Sequence, residues 1–542
     1  MGVLEKLWRL LFRRRQRRRD SGQARSSPAK GRISSKLQVN HERIKAAFGN
    51  SPDLVLRYLE IGDQGKISAL VVHIDGLCDK RLVSEAIIEQ VTDINNKWGN
   101  PKQAYVDLKD RILSASGVRE VDSLDEFINH VTCGDCGILV DGITRGLACD
   151  TRAWEHRGVE EPTTESTIRG SKEGFVESLR TNTSLLRRRI KDSRLWIEEL
   201  KIGRISKTSV AIVYISGVAD DKIVKEVRNR LRKIDVDSIQ ESGHLEEFIE
   251  DAPFSPFPTI LRTERPDRVT GALLEGRIAL LTDGTPFALI VPATFTMFIT
   301  APEDYYERYF IGSAIRLLRI ASFFISLTLP SLYVAVTTFH QELLPTPLIL
   351  SIAAQREGIP FPAVVEAMIM ELIFEVLREA GVRLPRLVGP AVSIIGGLVL
   401  GEAAMRAGLA SPAMVMVVAF TGIASFANPV FSLAIGVRLL RFLLLVLAGS
   451  LGLFGVEAGM LALLIHQITL RSFGVPYLEP LAPVVFSDLK DALLRAPWWA
   501  LNTRPKFVGK KEPTRQAPGL RPKPPSREEK EVHHLEGKEG GK

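Results

Sequence analysis

Ile320-Ala-Ser-Phe-Phe-Ile-Ser-Leu-Thr-Leu-Pro-Ser-Leu-Tyr-Val-Ala-Val-Thr-Thr-Phe339 is a run without a single charged side chain. A bilayer core is crossed by about 20 mainly apolar residues in helical form. Inside lipid the backbone must satisfy its own hydrogen bonds, which makes a helix the expected structure. The run therefore predicts a spanning helix, kinked at Pro330. Three more apolar stretches follow, Leu387–Gly401, Pro412–Val437 and Phe442–Leu470, and nothing comparable precedes residue 310. The chain changes its preferred solvent there. A large water-facing portion comes first and a helical polytopic membrane domain second.

The 542 residues leave room for two or three domains, and the 45% hydrophobic and 25% charged content averages two unlike halves. Much of the net charge of +8 sits at the ends, in Arg13–Arg19 and in the Lys/Arg-rich tail after Arg504. Basic ends on a membrane chain fit retention beside anionic lipid on the cytoplasmic side. No reader motif accompanies the charge, so nucleic acid is not an expected partner. Met1–Phe12 is short and amphipathic and has no cleavage site. It reads as a surface-lying helix or as part of a disordered basic leader.

Four cysteines, Cys78, Cys133, Cys136 and Cys149, all precede the apolar region. Cys133 and Cys136 form a CxxC, a redox or metal half-site. Zinc normally takes four ligands, no second CxxC follows, and Cys149 with His156 would only loosely complete the set. Reduced thiols in a cytoplasmic domain are the plainer reading, and no metal or cofactor is expected.

The water-facing half carries a weak internal duplication. Ile67–Gly76 and Ser209–Gly217 are β-branched runs that end at a glycine turn, and each is followed by a helical segment, through Val91 and over Asp220–Ile234. An Asp before each helix can cap it. Ser123–Val131 is matched here to His244–Asp251, and Gly137–Gly142 to Ile278–Gly284, whose Asp-Gly pairs fit hairpin turns. The expected organisation is a basic leader over 1–35, similar α/β subdomains over 40–155 and 200–295, and a polar connector over 156–199. A membrane domain over 296–490 and a disordered basic tail over 502–542 complete it. The connector, rich in Gly, Ser and Arg, reads as a helix pair, an anion-binding surface or an Arg-rich contact. It has neither Walker nor GxGxxG spacing. Pro292–Ala301 is apolar but short and suits the membrane surface, and the tyrosines of Glu303–Tyr309 suit the headgroup layer.

Phe361–Ala380 is as apolar as a spanning helix yet carries Glu366, Glu371, Glu375, Arg378 and Glu379. Glu371, Glu375 and Glu379 recur every four residues and share a stripe. Each charge facing lipid would cost about 2.5–3.5 kcal/mol. Either the helix lies in the interface, or its acidic stripe faces water inside an assembly, where a ring of carboxylates favours cations. On the second reading Glu371, Glu375 and Glu379, with Met368 and Val364, are the pore-lining candidates. Glu366, Asn428, Glu457 and His466 are the other polar groups placed among apolar neighbours, each either functional or packed against another helix. Glu402 and Arg406 are spaced for a local ion pair. Asn428-Pro429 marks a break. Four full spans near 312–339, 384–405, 412–437 and 442–470, with 361–380 as an amphipathic or spanning extra, keep both basic ends in the cytoplasm. A transporter is the weaker reading because no internal repeat shows among the spans. An enzyme is weaker still, because Asp75, Asp141 and Asp283 sit in turns and no nucleophile, metal or P-loop constellation emerges.

Asp304-Tyr-Tyr-Glu-Arg308, Pro330–Glu342, Pro345-Thr-Pro347, Ile352–Gly358 and Leu377–Gly381 resemble the A subunit of GerA-type spore germinant receptors. Pro253–Pro258, Thr263–Pro266, Arg180–Asn182 and Arg471–Tyr477 resemble it as well, and the similarity runs over about 43–485. The chain ends and the CxxC lie outside that pattern. The resemblance implies a multi-pass protein of the spore inner membrane with its large N-terminal portion on the cytoplasmic, spore-core side. It implies a transporter-like B subunit that binds the nutrient and a C-subunit lipoprotein as partners. It also implies a homo-oligomeric, nutrient-gated cation channel lined by the A subunit. The family includes a sporulation-stage paralogue of the stage V AF type, and a non-conducting membrane scaffold is the alternative role.

Overall fold

The computed structural model describes residues 31–61, 67–89, 100–113, 117–153, 162, 165, 167, 169–383 and 389–522. The parts of the expected leader and tail that fall on 1–30 and 523–542 lie outside the described residues, as do Val91 and His156.

Two five-stranded antiparallel sheets make up the first half. In chain order the first unit contains α1 (Leu37–Ala47), β1 (Leu54–Ile61), β2 (Ile67–Ile74), α2 (Pro101–Leu113), β3 (Val118–Val121), α3 (Leu124–Thr132), β4 (Cys136–Val140) and β5 (Gly146–Cys149). The second contains α4 (Leu179–Arg189), β6 (Leu195–Ile202), β7 (Thr208–Ile215), α5 (Asp221–Arg232), α6 (Ser242–Ile249), β8 (Leu261–Thr263), α7 (Pro266–Glu275), β9 (Ile278–Thr282) and β10 (Ala288–Val291). The strand orders, β1-β2-β4-β5-β3 and β6-β7-β9-β10-β8, are the same. Strands β4 and β9 are buried throughout because helices cover both faces of each sheet. Alternate residues of β2 divide between two cores: Ala69 and Val71 meet Ala104 and Leu108, while Leu70 and Val72 meet Phe48 and Phe127.

The duplication is closer than the sequence suggested. Asp79 Oδ1 accepts from Arg81 N at 2.8 Å and Asp220 Oδ1 from Lys222 N at 3.0 Å, so both expected caps form. Both Asp-Gly pairs turn a hairpin, with Gly142 at φ 81° and Gly284 at φ 88°, a region that favours glycine. The two aspartates also bond alike across the fold. Asp141 accepts from Leu37 N at 3.2 Å and Asp283 from Leu179 N at 3.0 Å. Asn40 brackets Ser34 with its amide as Asn182 brackets Val176. These cross-fold bonds and the hairpins hold an offset of 142 residues (Asn40 to Asn182, Asp141 to Asp283), while the caps stand 141 apart (Asp79 to Asp220). At that offset α3 corresponds to α7, and α6 corresponds to α2. The expected match of Ser123–Val131 with His244–Asp251 is therefore corrected. Both are short amphipathic helices with a Phe-Ile pair, and the local pattern does not tell one position in the fold from another. The expected connector is also shortened, because α4 is the repeat of α1 and β6 starts before residue 200.

The helical half opens with α8 (Tyr309–Phe339), then a short helix Thr346–Arg356, α9 (Ala363–Arg383), α10 (Gly389–Arg406), α11 (Pro412–Phe426) and α12 (Phe431–Thr469). Helices α8 and α12 are long and apolar enough to cross a membrane. Helix α12 is not straight. Gly452 sits at φ 63°, ψ −142°, outside helical space. Pro256 O approaches Gly436, and Ser255 bonds His466 at 2.9 Å. A straight helix would hold positions 436 and 466 about 45 Å apart. The chain therefore folds back at Gly452, whose tip meets Phe339 and His340 at the far end of α8. The expected spans 412–437 and 442–470 are corrected accordingly. The break at Asn428-Pro429 ends α11 at Phe426, and the two arms of α12 take the rest. Val364 abuts Gly449, Phe374 abuts Gly422, and Leu377 abuts Gly396, so α9 packs on the first arm of α12, on α11 and on α10, and runs parallel to α11 (Glu366 beside Ser411, Arg378 beside Ser425). Among the described residues six helical passes result in place of four spans and one amphipathic extra, and the bundle both begins and ends on the side of the sheets.

The second unit is fused to this bundle. Its inner core, with Ala211, Leu281 and Ile290, continues through Phe298 and Tyr477 into Phe323, Leu433 and Leu444. Pro292–Ala301 is therefore part of a buried core and not a free surface element. After α12 the chain returns over the second unit. The expected disordered tail is corrected for residues 502–522: Val508 is fully buried, Arg504 Nε donates to Leu274 O at 2.8 Å, and Lys511 pairs with Asp221 at 2.5 Å. The segment has little apolar surface of its own and is held by hydrogen bonds and charge.

Candidate functional site

The acidic helix α9 turns Glu366 and Glu371 inward. Glu366 is fully buried at its N-terminal end, where Oε1 accepts from Ser411 N at 2.7 Å and Ser411 Oγ at 2.6 Å. Arg356 lies 3.5 Å from its other oxygen. Glu371 pairs with Arg441 of α12, both side chains at 3% exposure or less. Glu375 pairs with Arg438 one turn away and lies 3.6 Å from Arg378. Arg378 donates to Ser425 Oγ at 2.9 Å and lies over the Phe374 and Phe426 rings. Glu379, 60% exposed, pairs with Arg383 at 2.6 Å. The outward stripe of α9 is apolar instead: Val365, Met368, Leu372 and Val376.

Of the pore-lining candidates, Met368 and Glu379 lie on the outer surface of the single chain, Glu375 and Val364 are half-buried and Glu371 is enclosed. Within the single chain Glu371 is enclosed beside Arg441 and does not face water. Removing one partner from a buried ion pair leaves a desolvated charge, so the chain supplies the counter-charge itself. Arg438 and Arg441 were readable only as residues between two spans. They stand inside the first arm of α12, and Arg441 is ten residues from Phe431 and from Leu451, about 15 Å from either end.

The other polar candidates divide. His466 bonds Ser255 and lies beside Phe257, a packing contact between bundle and sheet unit. Both amide atoms of Asn428 are buried without a partner among the described residues. Glu457 is exposed among the outward Phe454, Leu461 and Leu464 and makes no ion pair among the described residues. Glu402 and Arg406 form the expected pair at 2.5 Å. A second charged cluster escaped sequence reading. Arg316 and Arg319, buried in the first turns of α8, grip Asp304 at 3.2 and 3.1 Å, and Arg316 also reaches Asp491 at 3.0 Å. Tyr305 and Tyr306 donate to Asp491 and Asp267, both at 2.6 Å, so only Tyr309 of the expected headgroup tyrosines is exposed.

The arginines of the connector are used within the chain. Arg187 pairs with Asp53 at 2.8 Å, each 1% exposed, and joins the two sheet units, while Arg188 and Arg189 pair with Glu173. Cys136 and Cys149 stand opposite each other on β4 and β5. Burial pushes the Cys78 thiol up to about 11 and the Cys149 thiol up to about 12, which makes them poor nucleophiles.

A family model described as Bacillus/Clostridium GerA spore germination protein matches residues 42–507. Spore germination protein KA of Bacillus subtilis (strain 168) is 48% identical over 91% of this chain and 90% of its own length. Spore germination protein A1 of the same organism is 39% identical over 87% of this chain and 93% of its own. The crystal structure of the N-terminal domain of the A subunit of the Bacillus megaterium spore germinant receptor GerK3 is 39% identical, covers 49% of this chain and 98% of that domain, and superposes with a TM-score of 0.39. With the family model spanning most of its length, the chain belongs to the GerA spore germination protein family.

Proposed function

We propose that the chain is the A subunit of a nutrient-sensing germinant receptor in the spore inner membrane, with its sheet units on the core side. A transporter-like B subunit and a C-subunit lipoprotein are its partners, and copies of the chain assemble into a ligand-gated cation channel. The observation that carries this reading is the Glu371–Arg441 pair halfway along the helical bundle. A buried ion pair contributes little net stability, and ionisable groups at that depth commonly mark ion paths. In the closed state Arg441 and Arg438 neutralise Glu371 and Glu375. A nutrient bound by the partner favours an arrangement of copies in which those carboxylates are freed to face cations. Only a difference in affinity between the two arrangements lets the ligand drive the change.

The test is ion release from spores given nutrient. Glu371→Gln combined with Glu375→Gln lowers cation release at unchanged protein level, and unchanged release sinks the channel assignment. One observation favours the alternative, a non-conducting scaffold or a paralogue of the stage V AF type that gathers germination proteins. Glu371, Glu375 and Glu379 each pair with an arginine of the same chain and the outward stripe of α9 is apolar. Cysteines placed singly along residues 364–379 separate the two. A channel gives labelling by a small cationic thiol reagent on one stripe, blocked by permeant ions, and a scaffold gives none.

A further inference from the structure

A cavity of about 390 Å³ lies where α7, the segment from Thr294 to Tyr306 ahead of α8, and the returning C-terminal segment meet. That is the size of a small-molecule site. Glu479 lines it, is 3% exposed, and has one carboxylate oxygen, Oε2, with no hydrogen-bond partner among the described residues. Among the described residues its other oxygen accepts only a long bond from Phe507 N, 3.4 Å. The remaining carboxylates of the cavity are engaged. Asp267 is held by Arg265 and Tyr306, Glu275 by Arg277, Asp488 by the Lys506 amide and Asp491 by Arg316. The arginines are engaged too: Arg189 by Glu173, Arg268 by Glu165, and Arg515 stacked on Trp498. One buried carboxylate is left facing an open space. A buried charge without a partner is costly, which makes it the informative feature of this region.

A second observation points to the same space. Gly271 stands inside α7, where glycine weakens a helix relative to almost any other residue. Beyond its own chain neighbours and helix backbone, no described atom comes within 4 Å of the position its Cβ would take, so close packing does not account for it. The room it leaves opens into the cavity.

We propose that this cavity binds a small organic ammonium ion, with the Glu479 carboxylate as its counter-ion and Leu274, Met297 and Trp498 packing against its carbon skeleton. The apolar wall selects an organic cation over a bare metal ion, which would gain nothing from it. Burial pushes the Glu479 carboxyl up to about 7, with Asp488 and Glu275 adding to the rise and Arg277 opposing it. A proton therefore competes with the ligand, and binding is tighter at pH 8 than at pH 6.

The test is calorimetric titration of the full chain in detergent with butylammonium chloride, with potassium chloride and sodium butyrate as the other probes. Butylammonium binds saturably, and potassium and butyrate do not. Glu479→Gln weakens binding by about tenfold or more, as loss of a charged hydrogen-bond partner does, and removes the pH dependence. Gly271→Met fills the space from the α7 side with a better helix former and blocks binding while the thermal melt is kept. Butylammonium heat no different from that of potassium overturns the proposal. So does wild-type affinity in Glu479→Gln, or in Gly271→Met. Binding is read on the isolated chain, so the outcome is separate from whether copies conduct ions.

Discussion

The two sheet units have one topology and two packing solutions. In the first, the Phe127 ring of α3 presses on β4 and β5 so closely that a Cβ at Gly137 would stand 2.3 Å from it, and one at Gly146 2.9 Å. At the same positions in the second unit stand Val269, Ala279 and Ala288, all in one core. A large side chain over two glycines has become a middle-sized one over two alanines. Total volume is kept while shape changes, the kind of exchange a close-packed core tolerates. The units differ in their surroundings as well. The first closes its cores on itself, whereas the second shares its inner core with α8 and α12. A movement of the second unit is therefore a movement of the bundle root, while the first unit is joined to it through fewer anchors. Among those anchors are the Arg187–Asp53 pair, the Ile197 N–H donated to Ser51 Oγ at 3.1 Å, and Trp196, which donates to Ala47 O at 3.2 Å and packs on Gly49.

The largest effect is expected at that joint. Arg187→Met leaves Asp53 buried and unpaired and should destabilise the first unit's attachment by about 3–5 kcal/mol. Urea unfolding of the chain in detergent, followed by circular dichroism, reads the loss. Arg187→Met with Asp53→Leu, which removes both charges, should recover most of it. A single substitution costing less than the double would show that the joint rests elsewhere.

Local chemistry was legible in the sequence and distant partnership was not. The β-branched runs, both capping aspartates, both Asp-Gly hairpins and the break at Asn428-Pro429 depend on residues within a few positions of one another. Glu371 and Arg441 are far apart in the chain, and nothing in the spacing of α9 names its partner. The fold-back at Gly452 hid in an apolar run where one glycine resembles the packing glycines around it. Leu124-Asp-Glu-Phe-Ile128 and Leu245-Glu-Glu-Phe-Ile249 misled because both satisfy the same amphipathic helix pattern. Only strand order separates them, since α3 follows β3 as α7 follows β8.

The smaller effect sharpens the comparison of the two cores. Gly137→Ala places a methyl against the Phe127 ring and should cost about 1–3 kcal/mol, the range for overpacking. Phe127→Val alone opens a void over two glycines and should cost a comparable amount, about 2–3 kcal/mol. Together with Gly146→Ala they rebuild the second unit's arrangement inside the first. The triple variant should then lie well above the sum of its parts, because residues in contact do not act additively. Ala279→Gly in the second unit is the control: it deletes one methyl under Val269 and should cost about 1 kcal/mol, with no partner substitution nearby to rescue it. Thermal melting of all variants against the parent decides the matter. Strict additivity in the first unit would mean that the two cores are independent solutions. Rescue would mean that one packing plan, shifted between a ring and two methyls, underlies both.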